Sequence, residues 1–342
     1  MNTISLRTPY LVFIGDQQDA GYAKTGFGLV HWRRERVAGQ LRLSDNTVDL
    51  GVRDLDLESA IQAGVKSLVI GVAPVGGVIP DDWWRVIVAA AESGLDIVSG
   101  LHTRLGDHPE LAAAANASGA RLVDVRRPPP GIPVGSGSKR SGRRVLMVGT
   151  DCAVGKKYSA LALDVALREA GARSTFRATG QTGIMIAGEG IPIDAVVADF
   201  VAGAAELLSP DNEEDHWDVI EGQGSLFHPG YAGVSLGLLH GSQPDAIVVC
   251  HDATRSSMLG WPEYSLPSVT ECMELNLTLA RRVNPQVRCV GFCVNTSSLK
   301  PEERESYLHG LADETAVPCI DPMIDGSALI ARRLLEGQSR PY

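Results

Sequence analysis

The segment RVLMVGTDCAVGKKYSALAL (residues 144–163) constrains this chain more than any other. An apolar β-branched run ends in Gly149. Thr150, Asp151, Cys152, Ala153 and Val154 follow as a short loop, and Gly155-Lys156 open an Ala/Leu-rich helical pattern. A strand that turns through glycines into a helix points backbone N–H groups and the positive end of the helix dipole at one spot, which suits phosphate oxygens. Lys156 adds a point charge there, and Lys157 stands beside it. The loop is one residue longer than G-x-x-x-x-G-K-[ST], and Lys157 occupies the position of the Mg²⁺-binding hydroxyl. An ammonium cannot ligate a cation, so a phosphate-bearing cofactor that is held but not cleaved is expected, with no obligatory metal.

The rest of the chain alternates apolar strand-like runs with helical patterns, the sequence form of βαβ units. The fold class expected is α/β: an N-terminal Rossmann-like parallel-sheet domain followed by a C-terminal P-loop α/β domain. In the first half, runs at 11–15, 67–73, 96–101 and 121–125 read as strands, and residues 16–38 as a long Gly-containing loop. The stretch RRPPPGIPVGSGSKRSG (126–142) breaks the pattern, because consecutive prolines continue neither a helix nor a central strand. The expected division is residues 1–130, a linker at 131–142, and 143–342. Runs at 143–149, 217–222, 245–252 and 287–295 read as strands of the second half. Gly71, Gly76 and Gly77 do not form G-x-G-x-x-G, which disfavours a dinucleotide site in the first half.

Composition narrows the partners. With 44% hydrophobic and 21% charged residues the chain is ordinary globular protein, and a net charge of −10 disfavours nucleic acid. No run nears the roughly 20 apolar residues of a membrane span, and the N-terminus lacks a signal-peptide layout. A cytoplasmic protein with no membrane partner is expected. The six cysteines form no CxxC pair and read as reduced core thiols rather than as a zinc site.

Three further segments carry candidate chemistry. In WDVIEGQGSLFHPGYAGV an apolar strand ends at Glu221, followed by Gly222, Gln223, Gly224 and Ser225. A carboxylate at a strand's C-terminal end faces the crevice where α/β folds bind ligands. Glu221 is the candidate base, Asp199 a neighbouring acid and His228 the alternative base. In RATGQTGIMIAGEGIPID, Gln181, Thr182 and Gly183 punctuate a loop and are candidates for substrate contact. The small residues that follow Asp199 suit close packing with a ligand or a second subunit, and a homo-oligomer is expected. Strand-end Asn295 can pair with an adenine edge. Arg177 and Arg255 are the candidate cations for an acidic substrate.

The loop GTDCAVGK closely resembles the GTDTxVGKT loop of dethiobiotin synthetase, and the Glu221 segment resembles that class's VEGAGG segment. Nearly the whole chain resembles a family once labelled only as a domain of unknown function. IGVAPVGG, GLHTRLGDHPEL, ATGQTGIMIAGEGIPIDAVVADFVAGAAE and EGQGSLFHPGYAGVSLGLLHG carry that match together with the loop. A bacterial branch is similar to D-glutamate N-acetyltransferases. The resemblance implies acetyl transfer from acetyl-CoA, as co-substrate, to the amine of D-glutamate or a similar acidic D-amino acid, in D-amino-acid catabolism. The alternatives are an ATP-dependent ligase or kinase of the dethiobiotin synthetase type, or a non-catalytic nucleotide-sensing module.

Overall fold

A computed structural model describes residues 3–74 and 77–336. The Val75-Gly76 part of the IGVAPVGG turn therefore lies outside the described residues. The chain forms two compact units. One comprises Thr3–Pro129 with Gly180–Ala195; the other comprises Pro130–Thr179 with the described part of Val196–Tyr342.

The first unit is built on a five-stranded parallel sheet in the order Val37–Arg42, Tyr10–Gly15, Ser67–Ile70, Asp96–Ser99, Leu122–Asp124. Tyr10–Gly15 is wholly buried, as an apolar run covered on both faces must be. Two expectations change here. Residues 16–38 are not one loop, because Lys24–Trp32 folds as a helix that buries Gly26, Gly28 and Leu29. The glycines that suggested a loop mark close approach instead: a Cβ at Gly26 would come within 3.3 Å of the Gly71 carbonyl oxygen. The stretch after residue 180 is likewise a helix, Gln181–Ala187, closed by Gly188 in the left-handed conformation. It joins this unit, where Glu189–Gly190 pairs antiparallel with Ile4–Ser5.

The second unit holds a six-stranded sheet in the order Cys319–Ile320, Arg288–Asn295, Ala246–Asp252, Arg143–Gly149, Trp217–Ile220, Ser174–Arg177, parallel at every pairing. The central strand Arg143–Gly149 therefore ends between Trp217–Ile220 and Ala246–Asp252. The C-terminal ends of these strands make one edge, where α/β ligands bind. Residues 130–142 run against this unit rather than standing free. Arg140 is buried and donates to the Gly241 and Ser242 carbonyls, and Glu206 accepts from the Ser136 and Gly137 amides. The small residues after Asp199 serve packing inside the unit. Helix Val201–Leu208 lies so close to helix Ala232–Ser242 that a Cβ on Gly241 would sit 2.2 Å from the Ala202 carbonyl oxygen.

Among the described residues, no helix is long and apolar enough to cross a membrane.

Candidate functional site

The loop between Gly149 and Lys156 sits at the ligand-binding edge of the second sheet. Helix Lys156–Glu169 begins behind Gly155, whose φ of 97° is open mainly to glycine. Thr150 N–H bonds the Cys250 carbonyl at 3.1 Å, tying the loop to the neighbouring strand. The Lys156 stem passes Gly149 and Gly222, and a Cβ on Gly222 would lie 2.9 Å from its Cδ and 1.7 Å from the Met147 carbonyl oxygen. Glycine at 222 is thus required by close approach. The Lys156 ammonium is buried and donates to the Asp151 carbonyl at 2.6 Å, and burial lowers its pKa below the usual lysine value. A cavity of ≈ 10 Å³ lies among Gly149, Gly222, Gln223, Gly224 and Ser225. That is at the lower limit for a single water.

Asp151 is fully buried, and both of its carboxylate oxygens accept hydrogen bonds. One oxygen accepts from the Cys152 amide; the other accepts from Arg255 Nη1 at 2.9 Å and from the Leu259 amide at 2.8 Å. Arg255 also donates to the Cys152 and Ala153 carbonyls. Its guanidinium therefore clamps the loop, a use that the sequence does not reveal. Ser159, one turn into the helix, bonds the Gly155 carbonyl and points to the core rather than into the loop. Lys157 is half-buried, with its ammonium 4.5 Å from the centroid of the Tyr158 ring.

Glu221 stands at the end of the adjacent strand, as expected, and is 5% exposed. Its Oε2 accepts from the Thr179 amide at 2.9 Å, and its carbonyl accepts from the Thr179 hydroxyl. The following turn buttresses the loop. Gln223 donates to the Thr179 hydroxyl, and buried Ser225 donates to the Thr150 carbonyl at 3.1 Å. Gly224 is in the left-handed region, where an added Cβ would meet Ser235 Oγ at 2.6 Å. His228 is fully buried. Its Nδ1 accepts from the Gly230 amide at 3.1 Å, and its ring packs against Tyr231 and Trp261. Its Nε2 has no hydrogen-bond partner among the described residues. A ring nitrogen of His228, an oxygen of Asp151 and the Cys152 sulfur lie within 4.8 Å of one another.

This trio offers metal-ligand atoms, with two cationic side chains close by. Burial chiefly raises the Cys152 thiol pKa; Lys156 and Arg255 act to lower it and Asp151 to raise it. On the next strand His251 Nδ1 meets the Thr150 hydroxyl at 2.9 Å, and burial lowers its pKa. That contact, like the Arg255 clamp, joins residues about a hundred positions apart.

The other expected residues lie as follows. Asn295 ends its strand half-buried, donating to Asp252 Oδ2 at 3.1 Å and accepting from the Ser297 amide. Arg177 is engaged with buried Asp218 at 2.9 Å, and Asp218 also accepts from Ser209. Asp199 is exposed on a 3-10 turn, Ala198–Phe200. Gln181, Thr182 and Gly183 open the Gln181–Ala187 helix of the first unit. There Gln181 accepts from Arg126 at 3.2 Å, Thr182 meets the Thr25 hydroxyl at 3.1 Å, and Gly183 is buried.

Comparison with known proteins fits this architecture. A P-loop domain described as a domain of unknown function (DUF1611_C) matches residues 133–331, and its Rossmann-like partner (DUF1611_N) matches residues 41–128. A protein of Tritonibacter scottomollicae named D-glutamate N-acetyltransferase is 49% identical over 96% of this chain and 99% of its own length. A protein of the same name from a Pseudoalteromonas species is 46% identical over 97% of this chain and all of its own. A crystal structure of a DUF1611 family protein from Anabaena variabilis superposes with a TM-score of 0.82 at 33% identity, covering 96% of this chain and all of that one. With a Rossmann-like N-terminal domain and a C-terminal P-loop domain, the chain belongs to the DUF1611 family.

Proposed function

We propose that this chain is an N-acetyltransferase that moves the acetyl group of acetyl-CoA to the amino group of D-glutamate or a similar acidic D-amino acid. The observation that carries the reading is the 49% identity, over nearly the full length of both chains, to a protein named for that activity. In the reaction the amine lone pair attacks the thioester carbonyl carbon, the carbon–sulfur bond breaks, and coenzyme A leaves as the thiol. The amine's surplus proton goes to a base.

The site is compatible with this chemistry. The amides of loop 149–156, Gly155 in its open conformation and the Lys156 ammonium would hold coenzyme phosphates, with Asn295 at the same edge for the adenine. The pantetheine arm is a chain of rotatable bonds and can fold back towards Glu221, the proposed base. A base must be held at the amine, and Glu221 is buried at the strand end beside the loop. Arg255 would meet a substrate carboxylate with the donors that Asp151 and the loop carbonyls leave to it. Acetyl transfer cleaves no phosphate, which suits the lysine at position 157 and supports activity without an obligatory metal.

The test is thiol release from acetyl-CoA in the presence of D-glutamate, L-glutamate or no acceptor, beside nucleotide hydrolysis with Mg²⁺-ATP. D-glutamate-dependent thiol release without nucleotide hydrolysis supports the proposal. Acceptor-dependent ATP cleavage without thiol release would instead establish a ligase or kinase.

A further inference from the structure

We propose that His228 is an anion-binding residue whose Nε2–H completes the phosphate site formed by the 149–156 loop and Lys156; this rests on the coenzyme reading above. The histidine lies 72 positions from Lys156 in sequence, outside the loop motif, yet its ring reaches the middle of the loop.

Three observations converge. The Gly230 amide donates to Nδ1, so that nitrogen presents its lone pair and the neutral ring carries its proton on Nε2. That N–H is buried without a partner, a state that folded proteins seldom tolerate and that a ligand acceptor would relieve. Its neighbours then decide what it meets. Asp151 accepts from Arg255 and from the Leu259 and Cys152 amides, so its charge is offset by the ion pair with Arg255, while Lys156 and Arg255 also act on Cys152 beside it. A cation entering there would face Lys156, Arg255 and an N–H, against a single carboxylate that Arg255 already pairs. An anion would find donors. The same tautomer gives Nε2 no lone pair with which to take a proton, so it acts as a donor. Tyr231 and Trp261 hold the ring plane, which makes the donor direction a property of the fold.

The test uses calorimetry with 3′-phosphoadenosine 5′-diphosphate, the phosphate-bearing end of coenzyme A, and with inorganic pyrophosphate. Asparagine keeps an acceptor near Nδ1 but has no group at Nε2; glutamine reaches the Nε2 position with a donor. His228→Asn should weaken binding by about 10–150-fold, the range for a hydrogen bond to a charged group, and His228→Gln should retain most of it. Equal affinities for wild type and His228→Asn would overturn the inference. If both variants misfold, ¹⁵N-histidine spectra of the wild type decide. Ligand should shift an Nε2–H resonance of a ring whose Nδ1 is unprotonated, and no such shift would overturn the inference. If wild type binds pyrophosphate but not the coenzyme fragment, the coenzyme reading fails, and the pyrophosphate affinities of the variants still decide the histidine contact. Binding of neither overturns both.

Discussion

Replacing Lys156 by methionine separates its two energetic roles. Methionine is unbranched and of similar length, so it keeps the stem in the slot between Gly149 and Gly222, where alanine would leave a void. In the resting loop the ammonium is buried on the Asp151 carbonyl at 2.6 Å. Binding exchanges that neutral acceptor for a charged phosphate oxygen. A hydrogen bond to a charged group contributes about 1.5–3 kcal/mol, so coenzyme A affinity should fall about 10–150-fold in Lys156→Met. The fold should not suffer equally, because the variant also removes a desolvated charge. The sign follows from the lowered pKa. Between that lowered value and the ordinary 10.5, the unfolded chain binds more protons than the native one. Wild-type stability therefore gains as pH rises through that window, and the methionine variant lacks the gain. Calorimetry with coenzyme A, paired with urea unfolding at several pH values, reads both effects. Unchanged affinity in a folded Lys156→Met protein would refute a phosphate role for this lysine.

Glu221→Gln should lower kcat for D-glutamate by about 10²–10⁴ with acetyl-CoA affinity nearly unchanged, as steady-state kinetics will show; near-normal kcat would move the base elsewhere. Gly222→Ala forces a Cβ against the Met147 carbonyl, so urea unfolding should show a loss of at least about 1–3 kcal/mol. Acetyl transfer should survive EDTA, and activity lost on chelation and restored by Mg²⁺ would contradict a phosphate site without catalytic metal. Buried Asp96 is penalised by desolvation, but bonds from Arg7 and Arg121 outweigh that and hold its pKa below the usual 3.8. Its contribution is present above pH 3.8 and lost as pH falls through the lowered value, so Asp96→Asn should flatten the urea midpoint's pH dependence in that acid range.

Strand identities were legible because buried parallel strands are continuous apolar runs. Arg143–Gly149 and Ala246–Asp252 are found almost residue for residue. Helices rich in glycine were not. Gly26 and Gly28 in Lys24–Trp32, and Gly183 in Gln181–Ala187, read locally as loops, yet Gly26 and Gly28 admit neighbouring backbone or side chains. The 149–156 loop was legible because a strand, a glycine-bounded turn and a helix are contiguous in sequence. Arg255 and His228 show the limit. What each does depends on partners far along the chain, Asp151 for the arginine and the loop edge for the histidine. A basic or imidazole side chain in a sequence does not disclose whether its donors are already taken. Arg177 shows the same, since its guanidinium meets Asp218 across adjacent strands.

The central claim is acetyl transfer to an acidic D-amino acid, and following the acetyl carbon tests it most directly. The chain is incubated with acetyl-CoA labelled with ¹³C in the acetyl group and with D-glutamate, and the products are read by NMR and mass spectrometry. Labelled N-acetyl-D-glutamate is expected in step with free coenzyme A thiol, with little or no product from L-glutamate. Thiol appearing without labelled amide, or label staying on the coenzyme while D-glutamate is unchanged, would contradict it.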